Sequence, residues 1–336
     1  MDSINGFDPS NHPLPEPGQE RIPVASNAPI FKRVLACTDF SPASRLAIAE
    51  AVRICRNSEA KLILLHIFEA ASPLIEPKDR SLTTAELWAR EAETLEAMRA
   101  EICTTGICAE IAMQDGITAE TILKVIAERD IDLAVLGTHG FSGLERLLFG
   151  STAETVLRKA ICPVMTVGPR AATHLLPVSQ QPSPSHCSYP QPVVFATDFQ
   201  APDKKALTCA AALANGNEGA LHCLHVLPLA MEGNGESAAP CSIMKQALNY
   251  LVQEGGLANR QPVCSIAYDS EVSHAIVDYA KAHNAKFIVL AVRRGFRHTV
   301  HLPPHITYRT IVTAPCPVIT VSYDDTWYPA LTAASL

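Results

Sequence analysis

The sequence lacks the marks of several large protein classes. Its 27 Lys and Arg are outnumbered by 34 Asp and Glu, for a formal net charge of −7 over 336 residues. It therefore lacks the basic footprint that a phosphate backbone demands, and no nucleic-acid partner is expected. It lacks any apolar run near the roughly 20 residues that span a bilayer. The longest candidates, such as Leu62 to Phe68, are interrupted by His66 and read better as strands, so no membrane partner is expected. The start has no basic stretch, and it is rich in Pro, Asn and Glu up to Pro29, which is not the text of a signal peptide. Eleven cysteines are present, but no pair has C-x-x-C spacing; Cys103 and Cys108 are closest. Most, such as Cys37, Cys55, Cys209 and Cys223, sit in apolar stretches. They are expected to be reduced core thiols of a cytoplasmic protein, in preference to a disulfide or metal framework. Two nucleotide signatures are missing as well. There is no G-x4-GK[ST] P-loop, and no G-x-G-x-x-G opens a helix after the first strand. Nor does a Ser-Gly-Gly loop follow that strand; Thr38-Asp39-Phe40-Ser41 stands there.

What is present is an internal repeat. One copy opens Phe31-Lys-Arg-Val-Leu-Ala-Cys-Thr-Asp39-Phe40, the other Pro192-Val-Val-Phe-Ala-Thr-Asp198-Phe199. Each aspartate is followed 27 residues later by a histidine inside an apolar run, His66 and His225. The copies close on Ala160-Ile-Cys-Pro-Val-Met-Thr-Val167 and Ala314-Pro-Cys-Pro-Val-Ile-Thr-Val321. The offset falls from 159 at the front to 154 at the back, so the second copy is about five residues shorter in its middle. The organisation expected is a disordered tail over 1–30, one domain over 31–168, a linker over 169–191, a second domain over 192–322 and a tail over 323–336. The stretch from Gly168 to Gln191 is loaded with Pro, Ser, Gln and His and shows neither period, which predicts a flexible linker. Within each copy short, continuously apolar runs alternate with helical patterns. The first copy predicts strands at 32–38, 61–68, 108–113, 132–136 and 163–167 and helices at 43–56, 84–104, 118–129 and 151–159. The second predicts strands at 192–197, 219–226, 262–268, 286–291 and 317–321 and helices at 202–214, 240–254, 271–283 and 305–313. Such alternation implies a parallel, doubly wound sheet.

After its fourth strand the first copy reads Gly137-Thr-His-Gly140-Phe-Ser-Gly143-Leu-Glu-Arg-Leu-Leu-Phe-Gly150-Ser151-Thr152. Gly137 and Gly140 let the backbone turn and approach a ligand with no Cβ in the way. Gly150-Ser151 opens the next helix, whose first N–H groups and positive dipole end suit a phosphate. Ser151 and Thr152 add hydroxyl donors. Alone, Gly150-Ser151 reads in preference as a glycine turn with a Ser N-cap; the full spacing after a strand favours a ligand instead.

This loop, the strand-ending Thr-Asp-Phe-Ser and the closing Cys-Pro-Val together resemble the universal stress protein family over roughly 31–168 and 192–322. The resemblance implies α/β architecture, with two tandem five-stranded parallel sheets of order 3-2-1-4-5, adenine-nucleotide alpha-hydrolase-like. It implies ATP or another adenine nucleotide as ligand, with or without Mg2+. It carries nucleotide contacts onto Asp39, Ile67, Leu136, Gly137, Gly140, Gly150, Ser151 and Thr152. Asp39 has a second reading as a cap of the helix at 43–56 or of the Phe40-Ser41-Pro42 turn, and Ile67 by itself reads in preference as core, its contact role resting on the resemblance alone.

The second copy departs from the pattern. Aligned from Cys316, its loop has Ala291 for Gly137, Arg294 for Gly140, Arg297 for Gly143, Pro304 for Gly150 and His305 for Ser151. It reads as a decayed half kept for scaffold and pairing. The competing reading is an anion patch of Arg293, Arg294, Arg297 and His298. A metal on His298, His301 and His305 is disfavoured, because Pro303-Pro304 keeps them off one helix face. His66 and His225 read as hydrogen-bonded core histidines in preference to catalytic bases. Three functions follow. The chain is a stress-response module binding a nucleotide in its first copy alone, a slow ATP hydrolase, or a ligand-free scaffold. His139, Glu145 and Arg146 give no recognisable hydrolytic spacing. Strand five of each copy, 163–167 and 317–321, is a short apolar sheet edge. Pairing of the two within the chain, as an internal pseudo-dimer, is expected over a homodimer of two chains.

Overall fold

The computed structural model describes residues 31–69, 83–138, 150–172, 190–199, 203–229, 238–293 and 305–323. The first copy runs β1 (Arg33–Thr38), α1 (Pro42–Ser58), β2 (Lys61–Phe68), α2 (Thr84–Cys103), β3 (Ala109–Asp115), α3 (Thr118–Glu128), β4 (Leu133–Gly137), α4 (Ser151–Lys159) and β5 (Val164–Val167). A short helix, α5 (Pro169–Ala172), follows. The second copy runs β6 (Val193–Ala196), α6 (Asp203–Gly216), β7 (Leu221–Pro228), α7 (Ala238–Glu254), β8 (Val263–Asp269), α8 (Val272–Ala282), β9 (Phe287–Arg293), α9 (His305–Thr313) and β10 (Val318–Tyr323).

Local chemistry accounts for the element ends. Ser41 caps α1 by accepting the Ser44 N–H, and Pro42 fills the first helical position, where no N–H is needed. Thr83 and Glu86 form a reciprocal capping box on α2. Successive strand residues point to opposite faces of the sheet, so Val34 and Ala36 enter one core and Leu35 the other. One core is roofed by α1, α2, α6 and α7, the other by α3, α4, α8 and α9. Covered on both sides, the strands can be apolar throughout.

Each copy has the order 3-2-1-4-5, and the two halves share one ten-stranded sheet, β3-β2-β1-β4-β5-β10-β9-β6-β7-β8. Pairing within each half is parallel, whereas β5 and β10 meet antiparallel. Met165 faces Ile319 at the centre of that seam, flanked by Thr166 with Val318 and Val164 with Thr320. The two threonines act in mirror fashion. Thr166 Oγ1 donates to the Val318 carbonyl and Thr320 Oγ1 to the Val164 carbonyl, each at 3.2 Å.

Two expectations need correction. Residues 169–172, assigned to a structureless linker, form α5. Pro169 starts it with a φ already suited to a helix, and Ala171 is fully buried. Composition suggested a linker because four residues are too few to show a period. The fourth strand of the second copy also runs on to Arg293, paired with β10 from Ile288 to its end. Ala291 and Val292 continue the ladder where Gly137 ends β4. The tail expected at 1–30, linker residues 173–189 and the tail beyond 323 lie outside the described residues.

Candidate site at the carboxyl ends of the first-copy strands

β1 and β4 are neighbours at the point where the winding reverses, with Ala36 beside Val135. In open α/β sheets that is where the crevice for a ligand forms. Asp39 follows β1 immediately and is exposed. Its Oδ1 accepts the Ser41 N–H at 3.0 Å, so it does brace the turn, while α1 itself is capped by Ser41. Phe40 adopts φ 64°, a left-handed conformation costly for an aromatic residue. The Phe40 N–H is held by Thr38 Oγ1 at 2.9 Å, and the ring lies 4.3 Å from that of His66. His66 Nδ1 is 2.8 Å from the Thr38 carbonyl and must donate, since a carbonyl only accepts. Its Nε2 lies 2.9 Å from Glu91 Oε2. His66 is thus a buried brace for the Asp39 turn. The second copy repeats the device. Phe199 has φ 60°, its N–H meets Thr197 Oγ1 at 2.9 Å, and His225 Nδ1 reaches the Thr197 carbonyl at 2.8 Å.

The other described candidates gather around the same carboxyl end of the sheet. Ile67 is half-buried, one residue beyond His66 on β2. Leu136 is buried in the core at 4% exposure, so it offers a ligand only backbone. Gly137 serves packing first. A Cβ there would come within 3.0 Å of Ala43 C and Ser44 N, at the start of α1. Gly150 folds back on the end of β4: its N–H donates to the Thr138 carbonyl at 3.1 Å, and a Cβ would sit 3.1 Å from that oxygen. Thr138 is anchored in turn, its N–H donating to the Val167 carbonyl at 3.2 Å. Thr138 and Gly150 therefore close the neck of the glycine loop. Gly140, with His139, Gly143, Glu145 and Arg146, lies outside the described residues.

Gly150 is the N-cap of α4 and, having no side chain, supplies no cap hydrogen bond. The N–H groups of Ser151, Thr152 and Ala153 have no acceptor inside the helix. Ser151 is exposed and Thr152 half-exposed. Three backbone donors, two hydroxyls and a positive dipole end suit an anion such as a phosphate. Thr138, the neck residue, escaped the sequence reading. Its signal was a hydroxyl directly after the strand-ending glycine. Glu91 carried no signal, because its partner lies on β2. Arg294, Arg297, His298, His301 and Pro304 of the second copy lie outside the described residues. Among the described residues no cluster of three His, Cys, Asp or Glu is placed to hold a metal ion, and no helix is long and apolar enough to cross a membrane.

Comparison with known proteins agrees with this architecture. The universal stress protein family matches the chain twice, over residues 30–168 and 190–322. A universal stress protein of Methanocaldococcus jannaschii is 30% identical over 140 residues, covering 41% of this chain and 82% of its own. Universal stress protein A homolog 1 of Coxiella burnetii is 32% identical over 146 residues, covering 41% of this chain and 96% of its own. The crystal structure of a universal stress protein from Archaeoglobus fulgidus covers 89% of this chain and 99% of its own at a TM-score of 0.60. At 20% identity that likeness concerns the fold. A doubly wound, adenine-nucleotide alpha-hydrolase-like α/β sheet built from two copies of one unit defines the class. The chain belongs to the universal stress protein family, as a tandem member.

Proposed function

We propose that this chain is a stress-response module that binds one adenine nucleotide, ATP in the first instance, in its first copy, residues 31–168. The observation that carries the reading is the meeting of two features at the carboxyl ends of β1 and β4. The Asp39 turn closes β1, and the uncapped start of α4 is tied back to β4 through Gly150 and Thr138. Ser151, Thr152 and the N–H groups above them would hold the phosphates, with Mg2+ as a companion ion when the phosphates recruit one. Asp39 would accept from ribose or base donors, and Ile67 would lie against the base. The second copy keeps the Asp198 turn, but Pro304 takes the place of Gly150, and its role is that of scaffold. Pairing of β5 with β10 supports an internal pseudo-dimer, in which the fused copy takes the place of a second subunit. The ten free cysteines among the described residues support a reducing, cytoplasmic setting.

Calorimetric titration with ATP, with and without Mg2+, tests this. The expected result is one site per chain; two equivalent sites would overturn the assignment to the first copy, and no binding heat at any temperature tested would favour the scaffold reading. Long incubation followed by assay for ADP separates a binding module from a slow hydrolase.

A further inference from the structure

β7 and β8 pair in a register that sets Cys223 directly beside Cys264. Paired residues on adjacent strands share a face, and both side chains pack against the core roofed by α6 and α7. The pairing sets the two thiols side by side on that face. Neighbouring strands lie about 4.8 Å apart, inside the Cα separation that a disulfide bridges. The environments differ. Cys223 is wholly buried, whereas Cys264 is partly exposed on β8, one of the two outer strands of the sheet. Lys245 of α7 adds a positive charge near Cys264. The first copy shows that the fold does not require sulfur here. Its β2–β3 pair at the same register is Leu64 beside Ile111.

We propose that Cys223 and Cys264 form a peroxide-oxidisable dithiol, a modification site of the second copy that closes to a disulfide between β7 and β8. Cys223 alongside and the positive charge of Lys245 lower the Cys264 thiol, whereas Cys264 alongside and burial raise that of the wholly buried Cys223. Cys264 is therefore the attacking sulfur. Its thiolate attacks one oxygen of hydrogen peroxide, the O–O bond breaks, and the departing hydroxide takes up the proton released by Cys264 to become water. Cys264 is then a sulfenic acid. The Cys223 sulfur attacks that sulfur, an S–S bond forms, the S–O bond breaks, and the Cys223 proton leaves with the hydroxyl as a second water. Two sulfurs lose one electron each and the peroxide gains two. A small thiol reverses the bond by exchange at the partly exposed Cys264 sulfur. The product ties the outer strand of the second copy to its neighbour.

The full chain is treated with hydrogen peroxide, quenched, alkylated under denaturing conditions, digested and sequenced by mass spectrometry. The expected product is a Cys223–Cys264 linked peptide pair that dithiothreitol separates. Free Cys264 should disappear roughly tenfold faster than the buried Cys55. Cys223→Ser should leave Cys264 as a sulfenic acid captured by dimedone, and Cys264→Ser should leave Cys223 fully alkylatable. The wild-type measurement stands even if a variant fails to fold. Recovery of Cys223 and Cys264 as free thiols under conditions that oxidise exposed Cys108 would overturn the proposal. So would linkage of Cys264 to any other cysteine.

Discussion

Asp39 shows how one side chain serves two ends. Its carboxylate already accepts the Ser41 N–H, so substitutions should separate the turn from the ligand. Asp39→Asn keeps an acceptor for Ser41 and should leave stability within about 0.5 kcal/mol of wild type, while Asp39→Ala should cost about 0.5–1 kcal/mol in urea unfolding. Both should weaken ATP binding about tenfold, read by calorimetry. Equal affinity for wild type and Asp39→Asn would leave Asp39 with the turn alone. His222 tests a different residue-scale effect. It is buried on β7, with Nδ1 3.1 Å from the Tyr279 hydroxyl, and that hydroxyl lies 2.9 Å from Ser265 Oγ. Burial first, and the nearby His283 second, push its imidazole down to about 4. The folded pKa lies below the unfolded one, so the unfolded chain binds the extra proton as pH falls. This contribution to stability is full above about 6.5, declines from there toward 4, and amounts to at most about 3 kcal/mol. Ile63 holds the matching place in the first copy. His222→Ile should therefore flatten the stability difference between pH 7 and pH 4.5 measured by urea unfolding.

At the scale of elements, the seam between β5 and β10 relies on close approach. Gly168 follows β5 directly, and a Cβ there would overlap the Ile311 carbonyl oxygen of α9. The matching residue of the second copy is Ser322, whose Oγ donates to the Ala160 carbonyl at 2.8 Å. The seam is thus symmetric in its strands and asymmetric at its rims. Gly168→Ala should force α9 away from β5 and destabilise the chain by about 2 kcal/mol, lowering Tm by several degrees in a thermal melt. An unchanged Tm would mean that α9 does not pack there. Further along, Arg53 of α1 stands 5.5 Å over the Phe287 ring of β9 and pairs with buried Glu50 on its own helix. Asn57 of α1 reaches the Gly216 carbonyl of α6 at 2.9 Å. Helices of the two copies therefore touch as well as their strands.

For the whole molecule, the expected consequence is that a single chain pairs its own two fifth strands. Both fifth strands are used within the chain, which leaves β3 and β8 as the outer edges. Light scattering should report the mass of one chain at micromolar concentration, and crosslinks should join 163–167 to 317–321. A dimer dissociated by changes at Met165 or Ile319 would instead mean that those edges pair between chains.

The sequence by itself determined what is local. Ser41-Pro42, the Thr83 to Glu86 box and continuous apolar runs set where helices and strands begin, and those signals lie within a few residues of their effect. The glycine loop and the Asp39 turn were legible for the same reason, as was the loss of glycines in the second copy. Tertiary structure alone decided what depends on residues far apart in the chain. α5 exists because Ala171 is buried, a fact its four residues do not announce. Gly137 is small because α1 starts against it, and Gly168 because α9 crosses it. Cys223 meets Cys264 only through the register of two strands, which no local pattern encodes. Spacing along the chain fixes an element's own geometry, while the contacts between elements are set by how their faces fit once both cores have closed.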